Sequence, residues 1–123
     1  MRTVPGQDYD AESPRMRVHQ SAVDGAVVVA VAGDVDMNTV PELEERLVGA
    51  ASAESPLVAD LTGVTFLDSS GLSALVRCHE RGLRDGVPFR IVVATRAVAR
   101  PLKLTALDSL LEIYPTVAAA LAA

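Results

Sequence analysis

The sequence predicts an α/β fold, a mixed sheet of about five strands opened by a hairpin and continued by alternating strands and helices, with about four helices packed against it. Three observations carry this reading. Hydrophobic residues make up 50% of the 123 while aromatics make up 3%, so the core is built from Val, Leu and Ala, as suits buried parallel strands covered by helices. Asp24-Gly25 is a hairpin signal near the start of the chain. After it, short apolar runs rich in β-branched residues alternate with stretches of helical periodicity. Crossovers between the parallel strands are expected to be right-handed.

Met1 to Pro14 mixes Pro, Gly, Asp, Glu and Ser with too few apolar residues to offset its ordering entropy, and reads as a flexible tail. From Arg15 to Ser21, Met16 and Val18 alternate with Arg17 and His19, the pattern of an outer strand with one wet face. Ala26 to Ala32 is a continuous apolar run, expected as a central strand covered on both faces, and Gly33 to Asp36 lead out of it. A helix is expected over Val40 to Ala50. Thr39 and Glu42 have capping-box spacing, Pro41 belongs in a first turn, and the two signals differ by a residue on where it starts. Leu43, Leu47 and Val48 form its inward stripe.

Leu57 to Leu61 reads as a third strand, Thr62-Gly63 as a turn, and Val64 to Leu67 as the approach to a second helix starting near Ser69 or Ser70. Leu72, Leu75, Val76, His79 and Leu83 recur at helical spacing, and Gly86 is the stop. Phe89 to Ala94 is the fourth strand. A short helix over Ala97 to Ala106 contains Pro101, so it either starts late or is kinked. Leu110 to Tyr114 is the fifth strand, and Pro115 opens an Ala-rich last helix.

Composition excludes several functions. Eleven basic residues against 16 acidic give a net charge of −5, and the basic ones are scattered along the sequence, so no footprint for direct nucleic-acid binding is expected. No apolar run approaches the roughly 18 residues of a membrane span, and the first residues lack a charged flank followed by an apolar stretch, so neither membrane insertion nor a signal peptide is expected. Cys78 is the only cysteine, which excludes an internal disulfide and fits a reducing cytoplasm.

The stretch that carries chemistry is Leu67-Asp68-Ser69-Ser70-Gly71-Leu72, at a strand-to-helix junction of the kind where α/β proteins place function. Ser69 and Ser70 fit plain helix caps, whose oxygens accept from the unpaired amides of the first turn. A nucleophilic serine needs a base within reach. The run is not a G-x-S-x-G elbow, His19 lies on an edge strand and His79 lies helical turns away, so a serine hydrolase ranks last. The third reading is a phosphoacceptor, because a helix N-terminus accommodates an added charge of about −2 without large rearrangement. Asp68, and Asp36 if its strand end lies alongside, would repel that charge, so the expected effect is a small structural change with a large electrostatic one. Asp36 and Asp68 lack supporting ligands for a metal site, and neither a metal nor a cofactor is expected. Asp60 reads as a local turn former, His79 as a packed histidine with one hydrogen bond, Cys78 as a small semi-buried hydrophobe, and Arg77, Arg81, Arg84, Arg96 and Arg100 as mostly solvated cations, of which those following the second helix are also candidates for part of a partner surface.

The run Leu61-Thr62-Gly63-Val64-Thr65-Phe66-Leu67-Asp68-Ser69-Ser70-Gly71-Leu72 resembles the signature of bacterial anti-sigma factor antagonists, the STAS domain. Val31-Ala32-Gly33-Asp34-Val35-Asp36 is similar to that family's glycine-acid-aliphatic-acid turn, and Ala106-Leu107-Asp108 before the last strand also matches. The resemblance implies a STAS-like fold over residues 15–123 and a cytoplasmic, non-enzymatic, partner-switching role in transcription regulation under stress. In such proteins the unphosphorylated antagonist binds an anti-sigma factor that is also a serine kinase, and a sigma factor is released. The kinase uses ATP to phosphorylate the serine after the motif aspartate, here Ser69, and a serine phosphatase resets the switch. Carried over by residue, Asp36, Asp68, Ser69, Ser70 and Gly71 form the partner-binding site, with Ser70 supporting the helix start and Gly71 letting the partner approach the backbone. An alternative within the same fold is a constitutive scaffold subunit of a signalling or transport assembly.

Overall fold

The computed structural model describes residues 15–123; the tail expected over Met1 to Pro14 lies outside the described residues. Five strands lie in the order β1 (Met16–Val23), β2 (Ala26–Val35), β3 (Leu57–Leu67), β4 (Phe89–Val92) and β5 (Ile113–Tyr114). β1 and β2 pair antiparallel through the two-residue Asp24-Gly25 turn, in which both φ angles are positive (50° and 82°), the geometry that matches strand twist and that Asp-Gly tolerates. β2 to β5 are parallel, and α1 (Val40–Ala50), α2 (Ser69–Asp85) and α3 (Arg96–Leu104) make the crossovers.

Successive crossovers in one direction, all of one hand, put all three helices on one face. There Leu43 and Leu47 of α1, Leu72 and Leu75 of α2, and Val98 and Leu102 of α3 join Val29, Val31, Leu57, Ala59, Leu61 and Ile91 of the sheet in the main core. The opposite face carries a smaller cluster in which Ala120 of α4 (Val117–Ala122) meets Ala26, Val28, Val58 and Val92. Because α4 covers only that end, Ala30 and Ala32 remain half-exposed, and β2 is covered on both faces over only part of its length.

Several boundaries differ from the sequence expectation. β2 continues through Gly33 to Val35, and Thr62-Gly63 is not a turn but part of β3. β3 gains one residue on β2 between Asp60 and Gly63 and another between Val64 and Phe66, so two bulges absorb what reads as a break. The Asp60 carboxylate accepts from the Thr62 amide (3.1 Å) at the first bulge, the local role expected of it. Val48 and Leu83 are exposed (45% and 71%), because each sits at the margin of its helix's apolar stripe. α3 starts at Arg96 and holds Pro101 within its length, so it does not start late. β1 runs on to Val23, β4 stops at Val92, β5 begins only at Ile113 after a short 3-10 turn at Leu107–Ser109, and α4 is capped by Thr116, whose hydroxyl accepts from the Ala119 amide.

Candidate functional site

β2 and β3 are parallel neighbours, with Val35 opposite Leu67, so the turns that follow them emerge side by side at one end of the sheet. The Asp68 amide donates to the Val35 carbonyl (3.2 Å) and locks the two exits together. The turns that carry Asp36 and Asp68 thus lie side by side, the condition under which both would act on a charge at Ser69.

In the second turn Asp68 is the N-cap of α2, and a single oxygen, Oδ1, accepts from the Ser70 amide (2.9 Å), the Gly71 amide (3.1 Å) and the Ser70 hydroxyl (2.5 Å). The Ser70 hydroxyl, then the amides of Gly71, Ser70 and Met37, hold the Asp68 carboxyl below the usual carboxylate range, with burial opposing them. The cap is therefore the aspartate rather than either serine. Ser70 is half-buried with its hydroxyl committed to Asp68, whereas Ser69, the first residue of α2, is exposed and its hydroxyl makes no hydrogen bond among the described residues. Gly71 is buried: a Cβ there would come within 2.4 Å of Leu67 Cδ1 and 2.9 Å of Val35 Cγ1. Its missing side chain thus lets α2 seat against the ends of β2 and β3, an inward reason for glycine where the resemblance implied an outward one.

In the first turn Asp36 Oδ1 accepts from the Asn38 amide (2.9 Å) and the Thr39 amide (3.2 Å), and Oδ2 faces Arg15 at 3.7 Å. Thr39 is 3% exposed, and its hydroxyl accepts from the Asp36 amide (3.0 Å) and donates to the Asp34 carbonyl (2.9 Å). It makes no cap bond to α1, so the capping box with Glu42 does not form, and Pro41 lies in the first turn. Asp34 in turn accepts from the Thr65 hydroxyl across the strands (3.0 Å).

Two features of the site were not read from the sequence. Met37 and Phe66, exposed at 74% and 50%, put apolar surface beside the acidic turns; Phe66 sits within the signature run and was the available signal. Arg77 of α2, exposed as expected, also makes a bidentate pair with Glu44 of α1, both contacts 2.8 Å. That pair, led by the hydrogen bond itself, lowers the Glu44 pKa and raises that of Arg77. Nothing in the spacing of residues 33 apart announces it.

The remaining candidates stand apart from the turn. His79 is buried on the inner face of α2, without the hydrogen bond expected of it among the described residues, and His19 lines an open groove on the sheet with Arg17 and Asp60. Cys78 is buried, and desolvation pushes its thiol up to about 11, so it is no nucleophile near neutral pH. Among the described residues no group of three His, Cys, Asp or Glu is placed to hold a metal ion, and no helix is long and apolar enough to cross a membrane. The turn thus presents an exposed hydroxyl beside fixed carboxylates and apolar flanks.

Comparison with known proteins gives a consistent result. The STAS domain model matches residues 14–120. The anti-sigma-F factor antagonist RsfA of Mycobacterium tuberculosis is 33% identical over 103 residues, covering 81% of this chain and 80% of that protein. The anti-sigma-F factor antagonist RsfB of the same organism is 34% identical over 94 residues, covering 75% of each. Among solved structures, the crystal structure of an anti-sigma factor antagonist from Mycobacterium paratuberculosis superposes with a TM-score of 0.81 at 36% identity, covering 89% of this chain and 95% of the other.

Proposed function

The chain belongs to the STAS domain family, and on that premise we propose that it is a cytoplasmic anti-sigma factor antagonist whose switch is Ser69. It is a regulatory protein and not an enzyme, like the antagonists it matches. Unphosphorylated, it binds an anti-sigma factor that is also a serine kinase, and a sigma factor is released for stress-responsive transcription. That kinase transfers the γ-phosphoryl group of ATP to Ser69, docking weakens, and a serine phosphatase restores the hydroxyl.

The observation that carries this reading is the exposed, unengaged Ser69 hydroxyl in the first turn of α2, beside a Ser70 hydroxyl committed to Asp68. A phosphate there gains from the helix N-terminus, worth about 0.3–1 kcal/mol for an exposed charge. It also brings a charge of about −2 up to Asp68 and Asp36, carboxylates already held by backbone amides. The fold accommodates the group, while the potential of the docking surface changes sharply. Met37, Phe66, Asp36, Asp68, Ser69 and Ser70 form that surface; Gly71 supports it from beneath.

The test is a pull-down of the full chain by its purified cognate anti-sigma factor, with and without ATP. Wild type is expected to bind and then dissociate as phosphate is incorporated, whereas Ser69→Ala stays bound and takes up none. Equal phosphate uptake by Ser69→Ala, or undiminished binding of phosphorylated wild type, contradicts the assignment. The second outcome is the one a constitutive scaffold would give.

A further inference from the structure

α3 is chemically out of keeping with the rest of the chain. Between Asp85 and Asp108 there are four cations, Arg90, Arg96, Arg100 and Lys103, and no acid, in a protein of net charge −5. Arg90 is used internally, donating to the Ala120 carbonyl (3.1 Å) and tying α4 to the sheet. The other three lie on the exposed side of α3 together with Leu104, which is 73% exposed, while Val98 and Leu102 face the core. None of the three makes an ion pair among the described residues.

The arrangement costs the helix stability. Arg96 and Arg100 are like charges at i, i+4, and Arg96 is the first residue of a helix with no acid in its first turn, where the macrodipole disfavours a cation. An acidic partner from outside would offset that cost. Its position is also informative. β4 pairs with β3 only as far as Asp60, so among the described residues the edge of β3 from Leu61 to Leu67 has no strand on that side; α3 packs against β3, and its Val98 and Leu102 share the main core with Leu61, Val64 and Leu67. That stretch of β3 runs directly into Asp68 and Ser69, so α3 and the Ser69 turn share the carboxyl end of one strand.

We propose that the cationic face of α3 is a second docking surface, engaging an acidic, partly apolar patch of the anti-sigma factor while the Ser69 turn engages its kinase centre. The proposal rests on the reading of the chain as an anti-sigma factor antagonist. The chemistry favours a protein over a polyanion. The acidic chain as a whole repels extended anionic surfaces, and three cations on a nine-residue helix make a small footprint, whereas arginine beside an exposed leucine is the composition of a protein interface.

Calorimetric titration of the purified anti-sigma factor into the full chain, at low and at high salt, tests this. The variant R96E/R100E/K103E is expected to bind at least about tenfold more weakly at low salt and to lose most of the salt dependence of wild type, since charge pairing sets both. R96Q/R100Q/K103Q should fall between the two, and it carries the test if the triple reversal melts early. Both variants should still be phosphorylated at Ser69 at saturating kinase. Binding of the variants within about twofold of wild type, at unchanged salt dependence, overturns the second surface and leaves the switch standing. Failure of wild type to bind overturns both. Tighter binding to phosphatidylglycerol vesicles or duplex DNA than to the anti-sigma factor, lost in the same variants, overturns it in favour of a polyanion.

Discussion

The two strand-to-helix turns at the carboxyl ends of β2 and β3 are built to one plan and differ in one respect. In each, an aspartate carboxylate accepts the backbone amides two and three residues on, and a hydroxyl follows. After β2 the hydroxyl of Thr39 is buried and bonded in both directions, so the turn is closed on itself. After β3 the duty is divided between adjacent serines: Ser70 bonds to the aspartate, and Ser69 is left outside. A structural hydroxyl and a presentable one thus arise from the same device, according to whether one residue or two carries the oxygen.

If that contrast is right, the largest loss should come from the closed turn. Thr39→Val keeps the shape but leaves the Asp36 amide and Asp34 carbonyl unpaired in a buried place, at a cost of about 2 kcal/mol by denaturant titration. Phosphate uptake per folded molecule should not change. A smaller effect is expected from Asp68→Ala, which removes the cap of α2 and the acceptor of the Ser70 hydroxyl, about 1 kcal/mol. This variant should also let Ser70 compete as acceptor, a result that phosphopeptide mapping would detect.

A weaker effect follows from pH. The Asp68 and Glu44 carboxyls are held below their ordinary values, Asp68 chiefly by the Ser70 hydroxyl and Glu44 chiefly by Arg77. A lowered folded pKa stabilises the fold fully above the unfolded value of about 4, and that contribution fades as pH falls through the folded pKa. Denaturant midpoints should therefore drop on acidification below about pH 4, and drop less in Asp68→Ala, which has already lost its share. An equal drop in both proteins would remove Asp68 from the account.

Much of this was legible in the sequence. Local signals placed the Asp24-Gly25 hairpin, α1 from Val40 to Ala50, the stop at Gly86 and the strand-turn-helix at Asp68, because each depends on neighbours in the chain. Errors arose where partners are distant. Thr62-Gly63 has the composition of a turn, yet pairing of β3 with β2 on one side keeps it in the strand as a bulge. Thr39 has the spacing of a capping box, but the exit of β2 offers its hydroxyl the Asp34 carbonyl instead. The α1–α2 clamp between Glu44 and Arg77 exists only once both helices lie on one face of the sheet. At the site itself, the sequence marked Asp36, Asp68, Ser69, Ser70 and Gly71, which the structure places in two neighbouring turns, but it could not assign the cap to Asp68 or an inward role to Gly71.

On the proposed reading exposure, and not mere presence in the turn, selects the acceptor. This is tested most directly by incubating wild type with the cognate kinase and ATP and locating the phosphate by site-resolved mass spectrometry. Phosphate is expected on Ser69 with Ser70 and Thr39 unmodified; modification of Ser70 at comparable or higher occupancy would overturn the role of exposure.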